Sequence, residues 1–115
     1  MAKESVAYSK ALAFAKRIVD LSRHLRSEHN EYVLSKQVSR SGTSIGANIA
    51  EARYGSSKKD FTAKIYISLK ECAETLYWLE LLRISEYLSE EEYISLFDDC
   101  ESIRRILSAT AKSVK

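Results

Sequence analysis

Few residues in this chain have the type and spacing to carry out chemistry. His24 and His29 are its two histidines. A structural zinc needs four protein ligands and a catalytic one at least three, so the pair alone falls short. A di-iron bundle needs glutamate and histidine at i, i+3 on inward faces, and Glu28-His29 are adjacent instead. Cys72 and Cys100 are the two cysteines, without a CxxC, and each falls in an apolar helical pattern. They read as core thiols of a reducing compartment, the cytoplasm; a disulfide between them is also compatible with the sequence. There is no glycine-rich phosphate loop, no HExxH, and no serine with a base at a suggestive spacing. The expectation is a protein that is not an enzyme, with no cofactor and no metal.

What remains is recognition by charge. Lysine and arginine number 18 against 16 acidic residues, a formal net charge of +2. Residues 1–70 hold thirteen basic and six acidic side chains, and residues 71–115 hold five and ten. Such asymmetry marks either a nucleic-acid-facing surface or basic helices packed beside acidic ones. The candidate phosphate contacts are Lys16, Arg23, Arg26, Arg40, Arg53, Lys58 and Lys59. A second polar group, Asn48 and Glu51, flanks an apolar helix face, where burial is costly without partners. Lys70, Glu71, Glu74 and Thr75 could supply them, giving a structural polar network at the waist of a bundle, with Arg40 or Lys70 paired to a glutamate.

The elements that position these residues follow from the punctuation. There is no proline and there are three glycines, too few turn formers for a sandwich or barrel. The first helix runs from about Lys3 to Ser27, with Ala7, Ala11, Phe14, Ile18, Leu21 and Leu25 stepping by threes and fours. A second runs from about Tyr32 to Arg53, its inward face Leu34, Val38, Ser41, Ile45, Ile49 and Ala52. Beside that face, Gly42, Gly46 and Ala50 recur every four residues, which lets another helix come close. The alternative is a break at Ser41-Gly42, but the apolar period continues through it. Gly55 reads as the residue that ends this helix, and Ser57 with Asp60 as the next cap.

The third helix spans about Lys58 to Ile84, with a seam of Phe61, Ile65, Leu69 or Ser68, Cys72, Leu76 and Leu79. It is apolar well beyond that stripe, so Tyr77, Trp78 and Leu81 read as an oligomer interface. Ser89 and Glu92 form a capping box for a fourth helix ending near Lys112. Its seam is Tyr93, Phe97, Cys100, Ile103 or Arg104, Leu107 and Ala111. Matched helices joined by short turns predict an all-α, antiparallel up-down-up-down four-helix bundle, one domain over residues 1–115. The charged start Met1-Ala2-Lys3-Glu4 reads as no signal peptide, and no apolar run is long enough for a membrane.

The stretch Ser41-Gly42-Thr43-Ser44-Ile45-Gly46-Ala47-Asn48-Ile49-Ala50-Glu51-Ala52 resembles the signature of the 23S rRNA intervening-sequence proteins. The likeness continues from Asp60-Phe61 through Lys64-Ile65, Leu69-Lys70-Glu71-Cys72, Glu74-Thr75 and Trp78-Leu79 to Leu82-Arg83-Ile84-Ser85-Glu86-Tyr87-Leu88. Two positions depart from it. Glu86 stands where the family often has a glycine, and Glu51 is followed by Ala52 where many members have glycine. The resemblance implies a bacterial four-helix bundle that assembles into a homopentamer. A related branch, the accessory variability proteins of diversity-generating retroelements, forms basic pentamers that bind nucleic acid and a reverse transcriptase. For this chain it implies self-association and binding of RNA or DNA through the basic residues above. The modest net charge argues against strong phosphate binding and leaves a second expectation, a scaffold whose partner is another protein.

Overall fold

The computed structural model describes residues 3–114, and side chains from residue 6 onward, so Met1 and Ala2 lie outside the described residues. Four helices follow one another: α1 (Lys3–His29), α2 (Leu34–Ala52), α3 (Lys58–Ile84) and α4 (Glu90–Ser113). Each packs on its neighbour in sequence, and α4 closes the ring on α1. This is the antiparallel bundle the spacing predicts, 44 Å long and about 20 Å across. The core lies along its axis. Phe14, Ile18, Leu25, Ile45, Ile49, Ile65, Leu79, Leu82, Ile103 and Leu107 are all essentially inaccessible.

The α1–α2 crossing depends on absent side chains. A methyl group on Gly42 would come within 2.9 Å of both Ile18 Cγ1 and Cγ2, whereas one on Gly46 would meet Ala11 Cβ at an ordinary 3.4 Å. Helix 2 is therefore unbroken at Ser41-Gly42, and Gly42 is the position where the backbones need the space. Gly55 acts differently from the expected left-handed terminator. Its φ is not positive, and α2 is already capped at Arg53. A side chain at Gly55 would crowd the Phe61 amide at 3.1 Å and the Ala52 carbonyl at 3.2 Å, so it permits a tight turn by size alone.

The caps explain the remaining boundaries. Ser89 and Glu92 form the reciprocal capping box, with bonds of 2.8 and 3.1 Å. Ser57 accepts from the Asp60 amide at 3.1 Å, but the short Asp60 side chain turns to Ser56 and leaves the box half made. The start of α2 falls two residues later than the apolar pattern indicates. Its cap is the Glu31 carboxylate, which accepts from the amides of Val33, Leu34 and Ser35 at 3.1, 2.8 and 2.7 Å. The end of α3 is a Schellman turn: the Glu86 amide donates to Arg83 O and the Tyr87 amide to Leu82 O, at 3.0 and 2.9 Å. That turn needs a left-handed residue, and Glu86 supplies it at φ 70°.

The register of α3 takes Ser68, one of the two positions the spacing left open, and departs from the expected seam at Leu76, where Thr75 is buried instead. Its buried line is Ile65, Ser68, Cys72, Thr75, Leu79 and Leu82, and Leu69 and Leu76 are displaced to the flank. Ser68 Oγ donates to the Ile45 carbonyl of α2 at 2.8 Å. Thr75 Oγ1 lies 2.9 Å from Ser41 Oγ of α2 and 2.8 Å from its own Glu71 carbonyl. With one proton each, the satisfied arrangement has Thr75 donating to the carbonyl and accepting from Ser41. On α4 the buried line likewise takes Leu96 and leaves Tyr93 and Phe97 half-buried.

Two stability predictions follow from the backbone. Gly42→Ala should lower unfolding free energy by about 1–2 kcal/mol, overpacking against Ile18 exceeding the gain in helix propensity. Gly46→Ala should be neutral or stabilising by up to about 1 kcal/mol. Chemical denaturation of the two variants checks the sign, and equal losses would refute the asymmetry. Glu86→Gly should raise stability by roughly 1 kcal/mol, because it relieves a left-handed non-glycine residue. The same melts would show it as a gain of about 4 °C, whereas a loss would mean the Glu86 side chain matters to the fold.

Candidate nucleic-acid interface

The structure divides the seven candidate cations into two groups. Four are engaged within the fold. Lys16 and Arg23 flank Asp20, at 2.6 and 3.6 Å, and lower its carboxyl below the usual range, chiefly through the Lys16 hydrogen bond. Arg26 bonds Ser22, whose hydroxyl itself donates to the Ser35 carbonyl across the α1–α2 turn. Arg40 reaches from α2 to α3, bonding Glu74 and approaching Glu71 at 3.5 Å.

The other three lie together where α2 ends and α3 begins. Arg53 stacks over the Tyr8 ring, 4.3 Å from its centroid. Lys58 and Lys59 are exposed on the first turn of α3, at the helix end where the macrodipole disfavours cations. None of the three has a carboxylate partner among the described residues. Lys112, in the last turn of α4, shares this end. The opposite end holds Glu28, Glu31, Glu86, Glu90, Glu91 and Glu92 around the other two turns. Glutamates thus concentrate at one end of the bundle, beside Arg26, Lys36 and Arg83, while Arg53, Lys58, Lys59 and Lys112 stand at the other beside Glu51 and Asp60.

The expected polar network is smaller than the sequence indicates. Its centre is Arg40 with Glu71 and Glu74, extended by Trp78 Nε1, which donates to Glu74 at 3.0 Å. Asn48 is not part of it: its amide bonds back to Ser44 O in its own helix, at 2.9 Å. Glu51 lies further along α2 and pairs with Lys64 at 2.7 Å. Lys70 points outward and is exposed. Lys70 lies one turn before Glu74 on the same flank of α3, but its side chain stays in solvent and joins no ion pair among the described residues.

The candidate interface trio also separates. Trp78 packs on the core and is held by Glu74, and Leu81 is half-buried. Tyr77 is 58% exposed, and Ile84 (62%) and Tyr66 (46%) share its side of α3. Their spacing of seven and eleven residues places them in one row opposite the core line.

The two cysteines are buried and free. The Cys100 thiol points at the Cys72 carbonyl, 3.7 Å away, and its contact with Cys72, followed by burial, pushes its pKa up and leaves it unreactive. His24, His29 and Tyr87 form an edge-to-face ladder with 5.3 Å steps at the acidic end. Among the described residues no group of three or more His, Cys, Asp or Glu is placed to hold a metal ion, and no helix is long and apolar enough to cross a membrane.

Tyr54 and Tyr66, which flank the unpaired lysines, are absent from the sequence-based candidates. The available signal was the turn Arg53-Tyr54-Gly55-Ser56-Ser57-Lys58-Lys59, where an aromatic falls outside any helical period.

Four antiparallel helices with a hydroxyl-lined seam and one basic end define an all-α bundle of a recognisable class. The chain belongs to the family of the 23S rRNA-intervening sequence protein, whose model matches residues 3–109. A solved relative is similar over nearly its whole length: a crystal structure from Bacteroides thetaiotaomicron, described as a protein with unknown function from the S23 ribosomal protein family. It is 49% identical, superposes with a TM-score of 0.95, and the match covers 96% of this chain and 99% of that one. A search among curated proteins finds no match.

Proposed function

We propose that the chain is a non-catalytic, self-associating bundle that binds nucleic acid through its basic end. The observation that carries this reading is the group Arg53, Lys58 and Lys59. These cations gather at one end of the molecule, and among the described residues no carboxylate neutralises them. That is the footprint expected for phosphate contacts.

Self-association is supported on separate grounds. Tyr77 and Ile84 leave large side chains exposed on the face of α3 turned away from its own core, as a helix awaiting another copy would. A pentamer, the assembly implied by the family resemblance, would repeat a patch of three cations five times and convert weak contacts into useful avidity. Free, buried thiols suit the reducing cytoplasm.

Light scattering should give a multiple of 13.1 kDa, five-fold for the pentamer, at micromolar concentration; a monomer mass would refute self-association. A fluorescent oligonucleotide should bind at low salt and release as salt rises. Lys58→Ala/Lys59→Ala should flatten that salt dependence, the logarithmic slope falling by about 0.7–0.9 for each phosphate no longer neutralised. Absence of binding at low salt, or binding indifferent to salt, would overturn the nucleic-acid reading and favour the protein scaffold.

A further inference from the structure

Binding of phosphates alone would not distinguish a duplex from a single strand. The surface around the basic end does. Tyr54 is 90% exposed, the most exposed large apolar side chain among the described residues, and its ring serves neither the core nor a cap. It forms one wall of an open groove of about 510 Å³, lined also by Ser56, Asp60 and the Glu51–Lys64 ion pair. A second open groove, of about 440 Å³, lies against it and holds Lys58, Lys59 and Tyr66. The two grooves meet at Ala63, which lines both. Across the first turns of α3, the surface therefore presents an aromatic ring, a small residue and a second aromatic ring, with unpaired lysines alongside.

A paired and stacked base cannot lay its face on a side chain, whereas an unpaired base can. Alternating tyrosines and cations are the pattern by which proteins hold single strands without reading their sequence. The Ser56 hydroxyl and the Asp60 carboxylate, bonded to each other at the groove wall, add hydrogen-bonding capacity at a base edge. We propose that the α2–α3 turn is a single-strand binding track, in which Tyr54 and Tyr66 stack unpaired bases while Lys58 and Lys59 contact the adjoining phosphates. The assignment rests on the nucleic-acid reading above and names the form of nucleic acid it takes.

Tyr54→Ala provides the test, since so exposed a side chain can be removed without unfolding the bundle, and a thermal melt matching wild type confirms it. Fluorescence anisotropy would compare labelled oligouridine, oligothymidine and a hairpin duplex at one low salt concentration. Wild type should favour the single strands. Tyr54→Ala should weaken them about tenfold or more and leave the duplex unchanged, Tyr54→Phe should bind as wild type, and Tyr66→Ala should fall in the same direction as Tyr54→Ala. A preference for oligouridine over oligothymidine, or the reverse, identifies the strand type within the proposal. Unaltered single-strand affinity in Tyr54→Ala, or equal losses on strand and duplex, would overturn the track while leaving nucleic-acid binding in place. Failure of every probe to bind wild type would overturn both.

Discussion

A buried hydroxyl left without a partner costs about 1–3 kcal/mol, and α3 carries two on the line that faces the bundle axis. Ser68 satisfies its hydroxyl on the Ile45 carbonyl and Thr75 pairs with Ser41, both across to α2. These bonds fix the rotation of α3 about its own axis, because turning the helix to bury Leu69 and Leu76 squarely would strand Ser68 and the Ser41 hydroxyl, while Thr75 keeps its bond to Glu71 O. The small size of serine and threonine also lets α3 lie close to α2. On the other side of α2, the absence of a side chain at Gly42 lets α1 seat Ile18 against the backbone. The bundle is thus organised around α2, with one neighbour admitted by a missing methyl group and the other held by hydroxyl hydrogen bonds to Ile45 O and Ser41.

The functional surfaces follow from that rotation. With Ser68 and Thr75 inward, Tyr66, Tyr77 and Ile84 must face outward, and the Tyr77–Ile84 end of that row is left for another surface to cover. Glu71 and Glu74 come to the α2 side, where Arg40 and Trp78 bond Glu74 while Glu71 lies 3.5 Å from Arg40, its buried Oε1 without a hydrogen bond. The same rotation places Lys59 outward beside Tyr66, in reach of Tyr54 across Ala63. Self-association near Tyr77 and Ile84 and nucleic-acid contact near Tyr54 then use different stretches of one helix and need not compete.

Much of this was legible in the sequence. Helix 3 is where expected, from Lys58 to Ile84, and the Ser89–Glu92 cap is as read, because local signals of period and capping act over a few residues. A close helix crossing on α2 was legible too, since two glycines inside a helix require a compensating approach, but not that α1 makes it or that Gly42 alone needs the space. The seam of α3 was legible only in part: Ile65, Cys72 and Leu79 lie on it as read, but hydrophobicity ranks Leu69 and Leu76 above Ser68 and Thr75, and only the facing positions Ile45 and Ser41 show that the hydroxyls have partners. The cap at Glu31 was hidden because glutamate is an uncommon cap and reaches its amides only after the chain turns at Asn30, in a left-handed conformation. Charge was read along the sequence, whereas folding sorts it by the ends of the bundle. That sorting separates Arg53, Lys58 and Lys59 from Lys16, Arg23, Arg26 and Arg40.

If the hydroxyl pair sets the rotation of α3, Ser41 and Thr75 must be energetically coupled. A double-mutant cycle of Ser41→Ala and Thr75→Val, followed by chemical denaturation, measures this directly, because each substitution removes a hydroxyl with little change in volume. A coupling energy of about 1 kcal/mol is expected for residues in direct contact. Losses that add within about 0.3 kcal/mol would contradict it, and would mean that apolar packing alone orients the helix.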